Sequence, residues 1–179
     1  MKREMSSQAK CAKEIRKELK ETFPNTKFSV KSEGFAGGNS VYIHWTDGPT
    51  SEKVDEITKK YQYGSFNGMN DLYEFSNDRK DLPQAKYVMT ARNTSKKATL
   101  LICKTAKKHY GCLDNISEPT EETLSECFDF GGEHLSWYQL AYRILRTLDL
   151  TNFEDIVENK LFQGGSLYKN FKVVRGIKK

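Results

Sequence analysis

The hexapeptide Trp45-Thr46-Asp47-Gly48-Pro49-Thr50 constrains this chain more than any other stretch. Before it, Val41, Ile43 and Trp45 alternate with Tyr42 and His44, the period of two that gives a strand one apolar face. After it, Val54, Ile57 and Tyr61 recur at helical spacing and point back toward the sheet. Asp-Gly-Pro cannot continue a strand, because Pro lacks the ladder N–H and Gly accepts backbone conformations that other residues resist. Thr50 or Ser51 can then cap a helix to about Lys60, with Glu52 favourably placed against the positive end of the helix dipole. The segment therefore demands a strand, a tight turn and a helix in succession, with Trp45 anchoring the core.

The neighbouring residues complete a unit around this turn. Cys11 or Ala12, Ile15, Leu19 and Phe23 give one apolar face to a helix capped by Ser6 or Ser7 and ending near Thr22, before Pro24-Asn25. Phe28 and Val30 alternate as a strand that pairs most simply with Val41–Trp45 as a hairpin, across the flexible turn Gly34–Gly38. Asp71–Phe75 and Lys86–Arg92 read as a third and a fourth strand. Beyond Thr94 the period becomes helical. Ala98, Leu101, Ile102, Ala106 and Tyr110 line one side of a helix that ends before Gly111. Further helices are expected near Glu121–Phe128, Leu135–Leu148 and Asn152–Leu161, with a last strand at Tyr168–Val174. The expected class is α+β: a small antiparallel sheet with packed helices over residues 1–92, followed by a mainly helical C-terminal half over residues 93–179, the two packed as one compact protein.

Composition narrows the class of function. Hydrophobic residues make up 37% of the 179, with 2 Trp, 9 Tyr and 10 Phe, so a folded core is expected where a disordered chain would lack the means to build one. No apolar run reaches the length of a membrane span, and Met1–Lys20 is charged throughout, which argues against a secretory signal. Cys11, Cys103, Cys112 and Cys127 are irregularly spaced and read as reduced thiols, which places the protein in the cytoplasm.

A search for catalytic constellations fails residue by residue. Glu18-Leu19-Lys20 has the spacing used by metal-dependent nucleases, but it falls on a helix with no upstream acid beside it, and Glu158-Asn159-Lys160 fails in the same way. Cys103, His109, Cys112 and Cys127 include no C-x2-C pair of the kind structural zinc sites use. His44 faces opposite Trp45, as a surface residue of the sheet rather than a general base. The Gly-rich stretches Gly34–Gly38 and Gly64–Gly68 lack the Lys-Ser/Thr that a phosphate-binding loop requires. The expectation is a non-enzymatic protein with no cofactor and no metal.

Charge distribution says more than the net charge of +5. Between Gln84 and Cys112 the chain holds Lys86, Arg92, Lys96, Lys97, Lys104, Lys107 and Lys108 and no acid. Between Leu113 and His134 it holds acids, among them Glu121, Glu122 and Glu126, and no Lys or Arg. The tail from Asn159 is basic again. Lys97, Lys104 and Lys108 fall together at helical spacing, so Lys96, Lys97, Lys104, Lys107 and Lys108 are the candidate contacts to phosphate or to a partner. The acids Glu121, Glu122 and Glu126 either meet a basic groove on a partner, imitating nucleic acid, or pair with the basic helix of the same molecule.

Three segments together carry a resemblance: Lys27-Phe28-Ser29-Val30-Lys31-Ser32, Trp45-Thr46-Asp47-Gly48-Pro49-Thr50, and Gly64-Ser65-Phe66-Asn67-Gly68-Met69-Asn70-Asp71. With the helix Cys11–Phe23 before them, they resemble a large polyvalent protein-associated domain family found in phage, plasmid and other mobile-element proteins. The resemblance covers roughly Ala9 to Arg92. It implies no catalytic residues, because the family's own activity is undefined. Its mobile-element setting implies counter-defence. The chain's size, lack of chemistry and charge blocks are similar to those of anti-CRISPR proteins, which would make its partner a bacterial defence nuclease, a type II RNA-guided effector, with or without bound nucleic acid. The alternative is a DNA- or RNA-binding accessory module of a phage or plasmid protein.

Overall fold

A computed structural model describes residues 5–110 and 113–151. The chain divides into two compact units, Met1–Asn93 and Thr94–Lys179. The helix expected at Asn152–Leu161, the strand expected at Tyr168–Val174 and the basic tail all lie outside the described residues.

In the first unit α1 (Ser7–Thr22) buries Cys11, Ala12, Ile15 and Leu19. These are the apolar positions read from the sequence. It packs on an antiparallel pair, β1 (Ser29–Phe35) and β2 (Gly38–Thr46), in which Val30 opposes Ile43. The strands run further than expected into the Gly-rich segment, leaving Ala36 and Gly37 as the hairpin loop. Val41, Ile43 and Trp45 face the core and His44 faces solvent, as the alternation requires. Trp45 is 2% exposed, and its indole N–H donates to the Pro49 carbonyl at 3.0 Å, so the same ring that fills the core also ties down the turn.

The turn itself is left-handed at Asp47 (φ 58°) and at Gly48 (φ 64°). A Cβ at position 48 would stand 2.7 Å from the Thr26 hydroxyl oxygen, so glycine is required there for space as well as for backbone conformation. Thr50 caps α2 (Ser51–Thr58), its hydroxyl accepting from the Lys53 N–H at 3.4 Å. A single 3-10 turn, Lys59–Tyr61, follows. A short hairpin of β3 (Ser65–Asn67) and β4 (Leu72–Glu74) leads to β5 (Tyr87–Asn93).

The fourth expected strand departs from expectation in its direction. β5 pairs with β2 in parallel, giving a mixed sheet of order β1-β2-β5 where an all-antiparallel sheet was expected. The long connection through α2 and the β3–β4 hairpin is what permits this, since a parallel neighbour needs a crossover of a dozen or more residues.

The second unit differs more from the sequence reading. α3 (Lys96–His109) forms as expected, capped by Ser95, whose hydroxyl accepts from the Ala98 N–H at 3.1 Å. The helix expected at Glu121–Phe128 is instead a 3-10 turn, Thr123–Ser125, followed by β6 (Cys127–Phe130). β6 pairs antiparallel with β7 (Glu133–Ser136). Gly131 (φ 61°) and Gly132 (φ 85°) form the two-residue loop between them, which requires positive φ at both positions. The helix expected from Leu135 begins only at Trp137, because Leu135 and Ser136 belong to β7. α4 (Trp137–Leu145) opens with a capping box in which the Ser136 hydroxyl accepts from the Gln139 N–H and the Gln139 side chain accepts from the Ser136 N–H. The core of the unit gathers Ile102 and Ala106 from α3, Phe128 and Phe130 from β6, and Trp137, Leu140 and Ile144 from α4. Within it the Phe128 and Trp137 rings lie 4.6 Å apart.

Candidate nucleic-acid interface

α3 turns Ala98, Ile102, Cys103 and Ala106 into the core. At 3.6 residues per turn this leaves Lys97, Lys104 and Lys108 on the opposite side, and all are exposed. The stripe read from the sequence is present, but its five lysines are not equivalent. Lys96, near the N-terminal end of the helix, pairs with Glu121 at 3.0 Å, and this hydrogen-bonded carboxylate raises the Lys96 pKa. Lys107 is held more firmly: its ammonium lies 2.9 Å from Glu118 and donates to the Ile116 carbonyl at 2.5 Å, and its side chain is only 15% exposed. Of the acids, Glu121 is paired as described, Glu126 accepts from the Ser117 hydroxyl, and Glu122 is exposed just before the 3-10 turn. Part of the acidic block therefore does pair with the basic helix of its own chain.

A second surface was missed in the sequence. Beside the start of α3, the outward side of α4 borders a groove of about 520 Å³. Lys96 and Thr99 line it from α3, and Tyr138, Gln139, Tyr142, Arg143 and Arg146 from α4 and its end. Tyr138 is 41% and Tyr142 65% exposed. Arg143 pairs with Glu133 of β7 at 2.6 Å, both side chains remaining nearly half exposed. The sequence signal was available: two tyrosines four residues apart, with an arginine directly after the second and another three residues on. It was overlooked because the apolar residues of the same segment dominate its pattern.

Exposed basic charge is not confined to the second unit: α1 carries Lys10, Lys13, Lys17 and Lys20 away from its buried face. The first unit's cleft between α2 and β5, about 490 Å³, is lined mainly by uncharged polar groups, and the Asp55 carboxylate there accepts from the Thr90 hydroxyl at 2.7 Å. Glu18 of α1 meets the Lys60 ammonium at 2.5 Å and the Tyr61 hydroxyl at 2.8 Å. This contact ties α1 to the turn after α2 and gives a structural role to the carboxylate of the Glu18-Leu19-Lys20 triplet. Burial pushes the Cys11 and Cys103 thiols up to about 12, so neither is a thiolate at neutral pH. Cys103 also donates to the Trp137 carbonyl at 3.5 Å, and Cys127 is exposed on β6. Among the described residues no helix is long and apolar enough to cross a membrane.

The structure defines a class: an α+β protein of two units, the first built around the Trp45–Thr50 turn and the second bearing the charged helix. The chain belongs to the large polyvalent protein associated domain 29 family, whose model matches residues 6–95. Domains of this kind are found in phage and mobile-element proteins. The match runs through the first unit and stops at Ser95, the cap of α3, so the lysine stripe lies beyond it, as does the groove apart from Thr94. No curated protein and no solved structure matches the chain.

Proposed function

We propose that this chain is a non-enzymatic, nucleic-acid-binding accessory module of a phage or other mobile element, acting in the bacterial cytoplasm. The observation that carries this reading is the exposed stripe of Lys97, Lys104 and Lys108, placed along one face of α3. Such a face meets the regularly spaced charges of a phosphate backbone and releases counterions on binding. Lys107 supports the surface but contributes less, since its side chain is only 15% exposed and its ammonium is held by Glu118 and the Ile116 carbonyl. Fluorescence anisotropy with labelled DNA and RNA tests the reading. Binding should weaken at least tenfold when Lys97, Lys104 and Lys108 are replaced by Glu, and binding indifferent to that change would refute it.

A second reading, counter-defence by inhibition of a type II CRISPR RNA-guided nuclease, is favoured by one feature of the first unit. The β3–β4 hairpin exposes Phe66, Leu72 and, at 96% exposure, Met69, with Phe75 just after it. An exposed group of large apolar side chains is typical of a surface that docks on protein. A cleavage assay with a purified type II effector decides this point. Full cleavage at a large molar excess of the protein would eliminate inhibition, and dose-dependent loss of cleavage that is abolished by Phe66→Ser and Met69→Ser would establish it.

A further inference from the structure

The outward side of α4 differs from that of α3 in kind. Trp137, Leu140, Ala141, Ile144 and Leu145 supply the whole buried face of α4, so Tyr138 and Tyr142 are not needed for the core. Two large rings nevertheless stand exposed four residues apart, a rise of about 6 Å along the helix. Lys96, Arg143 and Arg146 line the same groove. Flat rings framed by cations select a polyanion that carries planar groups, in preference to an apolar peptide.

We propose that the groove between the start of α3 and α4 is a single-strand subsite, in which successive nucleobases stack on Tyr138 and Tyr142 while Lys96, Arg143 and Arg146 hold the adjoining phosphates. The inference rests on the nucleic-acid reading and sharpens it to a substrate class. The helical offset of about 6 Å between the two tyrosines is nearly twice the roughly 3.4 Å rise between stacked bases, so it suits an unstacked strand. In a duplex the faces of the bases are covered by their neighbours and cannot reach the rings unless a base is flipped out. The Lys96–Glu121 and Arg143–Glu133 pairs do not block the site, because exposed ion pairs are weak and screened by salt, and both cations can turn to a phosphate. Gln139 keeps its amide N–H groups available for a base edge, since the capping box uses only its carbonyl oxygen.

The test uses the full chain with labelled 15-mers of poly-dT and poly-U, a duplex of the same length, and a mononucleotide as competitor. Tyr138→Ala/Tyr142→Ala should lose about tenfold or more in single-strand affinity while changing duplex affinity less than about twofold, and Tyr138→Phe/Tyr142→Phe should retain binding. An iodouracil-bearing strand should crosslink to Tyr138 or Tyr142 in the unaltered protein, a readout that does not depend on the variants folding. Single-strand binding unchanged in the alanine variant, or crosslinks confined to other residues, would overturn the subsite and leave the lysine-stripe reading standing. A mononucleotide that competes as well as the strand at equal nucleotide concentration would also overturn it. Failure to bind any nucleic acid would refute the underlying reading, and the subsite with it.

Discussion

Single residues decide the geometry of the first unit, and Gly48 is the clearest case. It combines positive φ with a Cβ position 2.7 Å from Thr26, whereas Gly37 has positive φ (93°) in open space. Gly48→Ala should therefore destabilise the protein more than Gly37→Ala, by a further 1–3 kcal/mol or so in urea unfolding. Equal effects would mean that Thr26 moves aside freely. Cys11 supplies a pH-dependent test. Its thiol ionises near 9.0 when unperturbed but at about 12 in the fold, where burial disfavours the thiolate. Above pH 9 the unfolded chain holds fewer protons than the folded one, so stability falls as pH rises from about 9 toward 12. The slope is about 1.4 kcal/mol per pH unit for one such thiol. Cys11→Ala should make the decline between pH 9 and 10 less steep, leaving the part due to Cys103, measured by urea unfolding at each pH. An unchanged slope would show that the thiol does not titrate with folding.

At the scale of elements, what the sequence revealed depended on how local the cause was. α1, the β1–β2 hairpin, α2 and α3 follow from periodicity, caps and breakers within each segment, so their existence was legible; the helix ends shifted by only a residue or two, while β1 and β2 ran on into the Gly-rich segment. The parallel pairing of β5 with β2 was not, because strand direction depends on a connection from Asp47 to Lys86 and no residue within β5 encodes it. The β6–β7 hairpin was misread for a local reason. Leu124 and Phe128 are four apart and imitate a helix face, while Phe128-Asp129-Phe130 followed by Gly131-Gly132 carried the stronger hairpin signal. The capping box Ser136-x-x-Gln139 was also readable and would have fixed the start of α4. Ser136→Ala should cost about 1 kcal/mol, seen as a lower melting temperature. Ser6→Ala should cost little, because the Ser6 side chain makes no cap bond. Equal losses would remove the capping box as a determinant of α4.

For the whole molecule, the matched family domain and the candidate interface occupy different parts of the chain. Residues 6–95 carry the family features, and the charged surfaces follow on α3 and α4. The lysines of α3 were legible because charge at helical spacing is a property of the sequence itself. Which of them face carboxylates was not, since Glu118 and Glu121 reach α3 only through the fold. The difference has a consequence for binding. Lys107→Ala should lower stability more than Lys104→Ala and lower nucleic-acid affinity less, as read by thermal melting and anisotropy on the same two proteins. The reverse order would mean that Lys107 leaves Glu118 to bind phosphate. The central claim, that the α3 stripe contacts phosphates, is tested most directly by the salt dependence of nucleic-acid affinity in the unaltered chain and in the variant with Lys97, Lys104 and Lys108 changed to Ala. Each lysine that neutralises a phosphate contributes about 0.7 to 0.9 to the slope of log affinity against log salt concentration. The slope should therefore become shallower by about 2 to 3 in the variant, and identical slopes in the two proteins would contradict the claim.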